Sequence, residues 1–150
     1  MLSIILLSVS GIASLFMGFN KSRNLLMPAI LLFLLVALGL NFWDWNIPFT
    51  LSTAYNKGMM TVDKVSVVFS AVLLLSALLI IPFSQNYIDK PQAQPAEYYA
   101  ILLFSLVGGI MMTSYDNLLM LFVGVEILSI SMYVLAGSDK RNLRSTEAAL

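Results

Sequence analysis

The sequence predicts an all-α membrane protein with five transmembrane helices and the start of a sixth. Two observations carry this. Apolar residues make up 59% of the 150, while charged residues make up 11% against roughly 25% in a soluble domain. The charges fall in short clusters, and the intervals between clusters suit a helix that needs about 20 apolar residues to cross the hydrocarbon core. Mean hydropathy is +0.89.

The spans follow in order. Leu2–Phe19 is the first apolar run and Leu25–Trp43 the second. Val65–Phe83, Tyr98–Tyr115 and Leu118–Ala136 are the third to fifth, and the fifth carries one charge, Glu126. No secretory leader is expected, because Lys21 and Arg23 follow the first run where a small-residue cleavage site belongs. The short basic link Asn20–Asn24 makes the first two spans antiparallel neighbours. Asp44–Lys64 has the composition of a small hairpin, and Ser84–Glu97, with Pro91 and Pro95, that of an extended loop. Tyr115 to Asn117 leaves a tight turn before the fifth span, with Asp116 as its expected N-cap. After Gly137, Ser145 or Thr146 can cap a further helix beginning near 145. The chain therefore reads as one helical region, 1–150, cut from a longer protein.

Basic residues set the orientation. Alternating spans put Lys21, Arg23, Lys90, Lys140, Arg141 and Arg144 on one side, and Lys57 and Lys64 on the other. The six-to-two excess places the first set in the cytoplasm and the N-terminus outside. Trp43 and Trp45 then lie at the outer interface as aromatic anchors.

Several function classes are excluded by composition. Eight Lys+Arg balance eight Asp+Glu, so no net charge attracts nucleic acid. Absent Cys and His remove disulfides, thiolate and iron–sulfur chemistry, haem ligation and Ser-His-Asp triads. No phosphate-binding glycine loop and no carboxylate cluster for a metal is present in the sequence.

Glu126 is the residue that remains. A charge at mid-membrane costs about 2.5–3.5 kcal/mol on insertion scales, so it faces protein or water and marks a functional site by default. Ser129 and Tyr133, three and seven positions on, share its helical face and form a polar stripe. Gly124 and Ser131 lie on the opposite face, where small residues let helices approach closely. The plainer alternative is a Glu tied to a neighbouring Lys for packing. No span supplies a cation, so the partner belongs to sequence beyond these residues or to another subunit. Ser10-x3-Ser14-x3-Gly18, Ser66-x3-Ser70 and Ser105-x3-Gly109 read as helix contacts. Gly108 and Gly109 either soften the fourth span or serve close packing. The nine Met residues are gap-filling apolar side chains.

From Glu97, Tyr98, Tyr99 and Ala100, through Asp116, Asn117, Gly124, Glu126, Ser129, Ser131, Tyr133 and Gly137, to Arg144-Ser145-Thr146-Glu147-Ala148-Ala149-Leu150, the sequence resembles subunit N of respiratory complex I. This is the proton-pumping NADH:quinone oxidoreductase, whose mitochondrial counterpart of this chain is subunit 2. The first ninety residues agree in span pattern only. The resemblance implies the first third of a fourteen-helix, antiporter-like membrane-arm subunit in a bacterial inner membrane. It implies that Glu126 pairs with a later Lys in a proton-translocation path, with Ser129 and Tyr133 as possible members. NAD, FMN, iron–sulfur clusters and quinone would belong to other subunits, and this chain would have no redox active site. Its partners would be other membrane subunits, the lipid bilayer and, indirectly, the quinone pool. Two alternatives stay open: a subunit of a multisubunit cation/proton antiporter, and an inactive structural or assembly fragment.

Overall fold

The computed structural model describes residues 2–19, 23–45, 58–88, 95–138 and 143–149. The described residues are helical apart from short connections: α1 (Leu2–Phe19), α2 (Arg23–Asp44), α3 (Lys64–Ile88), α4 (Pro95–Thr113), α5 (Leu118–Ala136) and α6 (Leu143–Ala148). Four helices, α2 to α5, are long and apolar enough to cross a membrane; α1 has a shorter apolar stretch, Ser3–Gly18.

Helices α1 to α4 close into a ring in which each packs on its two neighbours, and α5 adds to the outside of α4. Each ring helix buries one stripe at helical spacing. On α2 the stripe is Leu26, Ile30, Leu34, Ala37, Asn41 and Asp44, and on α3 it includes Ser70, Leu74, Ala77 and Ile81. The outer faces are just as apolar, with Phe16, Phe69 and Phe83 exposed. This follows from the solvent: lipid is as apolar as leucine, so hydrophobicity does not choose the inward face, and small or hydroxylated residues do.

The serines bear this out. Ser10 and Ser14 on α1 are buried against the bundle, and their hydroxyls donate to the carbonyls of Leu7 (2.8 Å) and Gly11 (2.7 Å). A hydroxyl that bonds one turn back satisfies itself and leaves a smooth, small surface for the neighbouring helix. A Cβ added to Gly11 would meet the Phe104 ring at 3.3 Å, and one on Gly18 would overlap Ala96. The Gly11 and Gly18 positions of α1 therefore seat α4, and the stripe read as a helix contact meets it at Gly18. Ser70 on α3 shares a 3.2 Å hydrogen bond with Thr113 on α4.

Three boundaries differ from the sequence expectation. Helix α3 runs on through Pro82 to Ile88, so Pro82 lies inside the helix and removes one backbone hydrogen bond from it without ending it. Helix α4 begins at Pro95, where a proline costs nothing because the first-turn amide is unbonded anyway; that residue was expected in the loop. The N-cap of α5 is Asn117 and not Asp116. Asn117 has extended backbone angles (φ −121°, ψ 142°), and its side chain accepts from the Leu119 amide at 3.3 Å. Asp116 is held one step earlier, its amide donating to the Met59 carbonyl at 3.2 Å. Met60 and Tyr115 form an antiparallel bridge there, and Thr61 donates to the Ser114 carbonyl at 2.9 Å. The segment leading into α3 thus pins the α4–α5 turn. Most of the expected Asp44–Lys64 hairpin lies outside the described residues. Gly58, at its edge, takes φ +75°, a backbone conformation suited to glycine.

Helix α6 starts at Leu143, so Ser145 and Thr146 lie inside it rather than capping it. The Ser145 hydroxyl donates instead to the Ala136 carbonyl at the end of α5. Gly137 caps α5 by donating to the Tyr133 carbonyl at 3.0 Å, and a Cβ there would meet Ala149.

Candidate functional site: the Glu126 face of helix α5

Helix α5 is gripped on one side by α4. Its two buried residues are Gly124 and Ser131, the pair expected to form a packing face. A Cβ at Gly108 would lie 2.8 Å from the Leu128 amide nitrogen and 2.9 Å from the Gly124 carbonyl oxygen. One at Gly124 would meet the Met112 Cγ at 2.9 Å and the Gly108 carbonyl oxygen at 3.1 Å. The α4 and α5 backbones touch where these glycines cross, so close packing is the role of Gly108. Gly109 faces Leu73 of α3 instead, at 3.3 Å from its Cβ position. Ser131 donates to the Ile127 carbonyl at 2.7 Å and so completes the smooth face.

Glu126 lies on the other side. It is the ninth of the 19 residues of α5, about 12 Å along the axis at 1.5 Å per residue, and so near the middle of a helix whose length suits a hydrocarbon core about 30 Å thick. Its face carries Leu119, Phe122, Ile130 and Tyr133, all of them exposed, as Glu126 is. Within α5's span 11% of residues are buried, against 50% in α4. A carboxylate therefore stands on an apolar helix face that the described residues leave uncovered.

The predicted stripe is present in register, but its members are not linked. Ser129 is half-buried, and its hydroxyl turns back to the Val125 carbonyl at 2.7 Å. Tyr133 is 59% exposed, so its ring lies open on the same face as Glu126. What such an arrangement can do chemically is limited and specific. A carboxylate in this position holds or releases one proton, or holds a negative charge against a cation on a facing helix. Among the described residues no group of three or more acidic residues could hold a metal.

Missed from the sequence is a second polar locus at the bundle end that holds the α4–α5 turn. Asn41 and Asp44 on α2 are both buried there, at 3% and 5% exposure. A polar pair three residues apart at the end of an apolar run was the available signal. Near the same end, the Lys64 ammonium sits 5.8 Å from the Trp45 ring centroid, a cation–π contact.

Known proteins resemble this chain along its whole length. NADH-quinone oxidoreductase subunit N of Cytophaga hutchinsonii is 40% identical over 150 residues, covering 99% of the chain and 32% of that protein. The chain is homologous to subunit N of NADH-quinone oxidoreductase. Subunit N of Flavobacterium psychrophilum is 35% identical over 148 residues, again 99% of this chain and 32% of the relative. NAD(P)H-quinone oxidoreductase subunit 2 of Gloeothece citriformis is 36% identical over 147 residues, or 98% and 28%. The chain thus spans about a third of the length of the curated subunit N relatives it matches. Among solved structures, respiratory complex I from Thermus thermophilus matches with a TM-score of 0.76 and 28% identity, over 98% of this chain and 31% of that one. No protein-family model matches the chain.

Proposed function

We propose that this chain is part of a membrane-arm, antiporter-like subunit of a proton-pumping NADH:quinone oxidoreductase, and that Glu126 belongs to its proton path. The observation that carries the reading is a mid-span carboxylate on a face that the described residues leave uncovered, in a chain homologous throughout to subunit N. A face of that kind is finished by further helices, and the subunit N relatives are about three times longer than this chain. The cation that balances Glu126 comes from those helices. Ser129 and Tyr133 lie on the same face and extend the path once water or a facing side chain bridges them.

Redox chemistry belongs elsewhere in the assembly. NADH, flavin, iron–sulfur clusters and quinone are bound by other subunits, a division supported by a sequence with neither Cys nor His. The partners of this chain are the neighbouring membrane subunits and the lipid bilayer. Deleting this segment from the chromosome removes NADH-driven proton uptake from membrane vesicles, and a plasmid copy of the whole gene restores it. Vesicles that keep coupled uptake without the segment overturn the proposal.

In the membrane, α1 to α5 are all spans. Helix α1 has 18 residues, about 27 Å at 1.5 Å per residue, and local thinning of the bilayer absorbs a mismatch of a few ångströms at modest cost. The N-terminus and the Asp44–Lys64 connection are extracytoplasmic, from the six-to-two distribution of basic residues. A cysteine introduced at position Asn56 reacts with an impermeant thiol reagent in intact cells, and one at Gln92 does not. Reversed labelling contradicts this topology.

A further inference from the structure

The described residues enclose a small polar pocket where the start of α1, the end of α2, the start of α3 and the end of α4 meet. It is lined by Ser3, Asn41, Asp44, Ser66, Ser70 and Ser114, among others. All six are buried, none more than 6% exposed. The space accommodates about one water molecule.

A hydrogen-bond ledger shows what the pocket lacks. The Ser114 hydroxyl gives its proton to the Ile110 carbonyl at 2.8 Å. Thr113 gives its own to the same carbonyl at 2.9 Å, so in the 3.2 Å pair with Ser70 it is Ser70 that donates. Both serines have thus spent their single proton and offer only lone pairs. The Asn41 Oδ1 is buried and, among the described residues, has no hydrogen-bond partner. An amide oxygen left unpaired in such a place is a standing cost. Two of the lining hydroxyls, Ser70 and Ser114, therefore have only lone pairs left to offer, and the unpaired Asn41 Oδ1 lies beside a space of water size.

We infer that this corner binds one water molecule, which donates to the Asn41 Oδ1 and to a second acceptor of the lining. A water carries two donors, fits the space, and is the usual partner of an otherwise unsatisfied buried group. A divalent cation does not suit the site: calcium takes six to eight oxygen ligands, usually with several carboxylates, and the lining supplies one carboxylate, from Asp44. The bound water joins α2 to α3 or α4 at the end where Met59 to Thr61 pair with the α4–α5 turn. It makes that end a fixed frame for α5.

The test is a high-resolution map of the membrane assembly that carries this chain, at a resolution where ordered waters are visible. A peak at hydrogen-bond distance from the Asn41 Oδ1, about 2.7–3.2 Å, is expected. Asn41→Leu, which removes the acceptor and fills the space, loses the peak. Asn41→Asp, close in shape and still an acceptor, keeps it, and this variant preserves the test if the Leu variant does not assemble. A map that resolves waters elsewhere at the helix ends and has none beside Asn41 overturns the inference. So does a peak that strengthens when rubidium replaces sodium, which marks an alkali cation instead.

Discussion

Replacing Glu126 by Gln in the full-length protein leaves assembly intact and lowers proton uptake about tenfold or more. Gln keeps the volume and most of the hydrogen bonding, but it holds no charge and exchanges no proton. The loss therefore reports electrostatics and not a cavity. A cation on a facing helix loses its countercharge when the carboxylate becomes an amide, and a tenfold change in rate corresponds to about 1.4 kcal/mol. In a tightly coupled machine NADH:quinone turnover slows with pumping. Ser131→Ala is the control, because it removes a hydroxyl that bonds only its own helix, at the Ile127 carbonyl. Even hydrogen bonds between membrane helices average only about 0.6 kcal/mol, and this one joins no second helix, so both rates stay near wild type. Proton uptake and turnover in vesicles, with assembly checked on native gels, separate the two. A Gln variant that assembles and keeps both rates makes Glu126 a packing residue.

The glycine crossing carries the second large effect. Gly108→Ala places a methyl group 2.8 Å from the Leu128 nitrogen and 2.9 Å from the Gly124 oxygen. Both are backbone atoms and cannot swing aside, so α4 and α5 must separate. Overpacking of this sort costs about 1–3 kcal/mol, and Gly108→Leu prevents the two helices from docking. Nothing lies within 4 Å of a Cβ added to Gly39, so Gly39→Ala is tolerated. The half-life of the assembled protein at a fixed elevated temperature reads the difference. Equal half-lives for the two Ala variants contradict the close crossing.

The elements and their order were legible in the sequence because charge clusters interrupt apolar runs. The bounds Leu2–Phe19 and Leu118–Ala136 coincide with α1 and α5. Helix ends set by other forces were less legible. Falling hydropathy after Phe83 does not stop a helix, and α3 continues to Ile88. Asp116 and Asn117 can both cap, and the choice is made by Met59, which takes the Asp116 amide from 57 residues earlier in the chain. The inward faces could not be read from hydrophobicity, since both sides of each helix are apolar; Ser10 and Ser14 marked that of α1 and Ser66 and Ser70 that of α3, whereas α2 buries leucines and leaves Gly39 exposed. The Glu126, Ser129 and Tyr133 register followed from helical spacing alone. That Ser129 turns its hydroxyl onto Val125 did not, because a local backbone acceptor competes with any distant one.

The proposed role of this chain is inside a redox-driven proton pump. An affinity tag on the full-length protein, followed by purification from native membranes in mild detergent, tests it most directly. The account predicts a large assembly that reduces quinone with NADH and, once returned to liposomes, takes up protons as it does so. A tagged protein that purifies alone, or in an assembly that exchanges cations for protons without oxidising NADH, contradicts it.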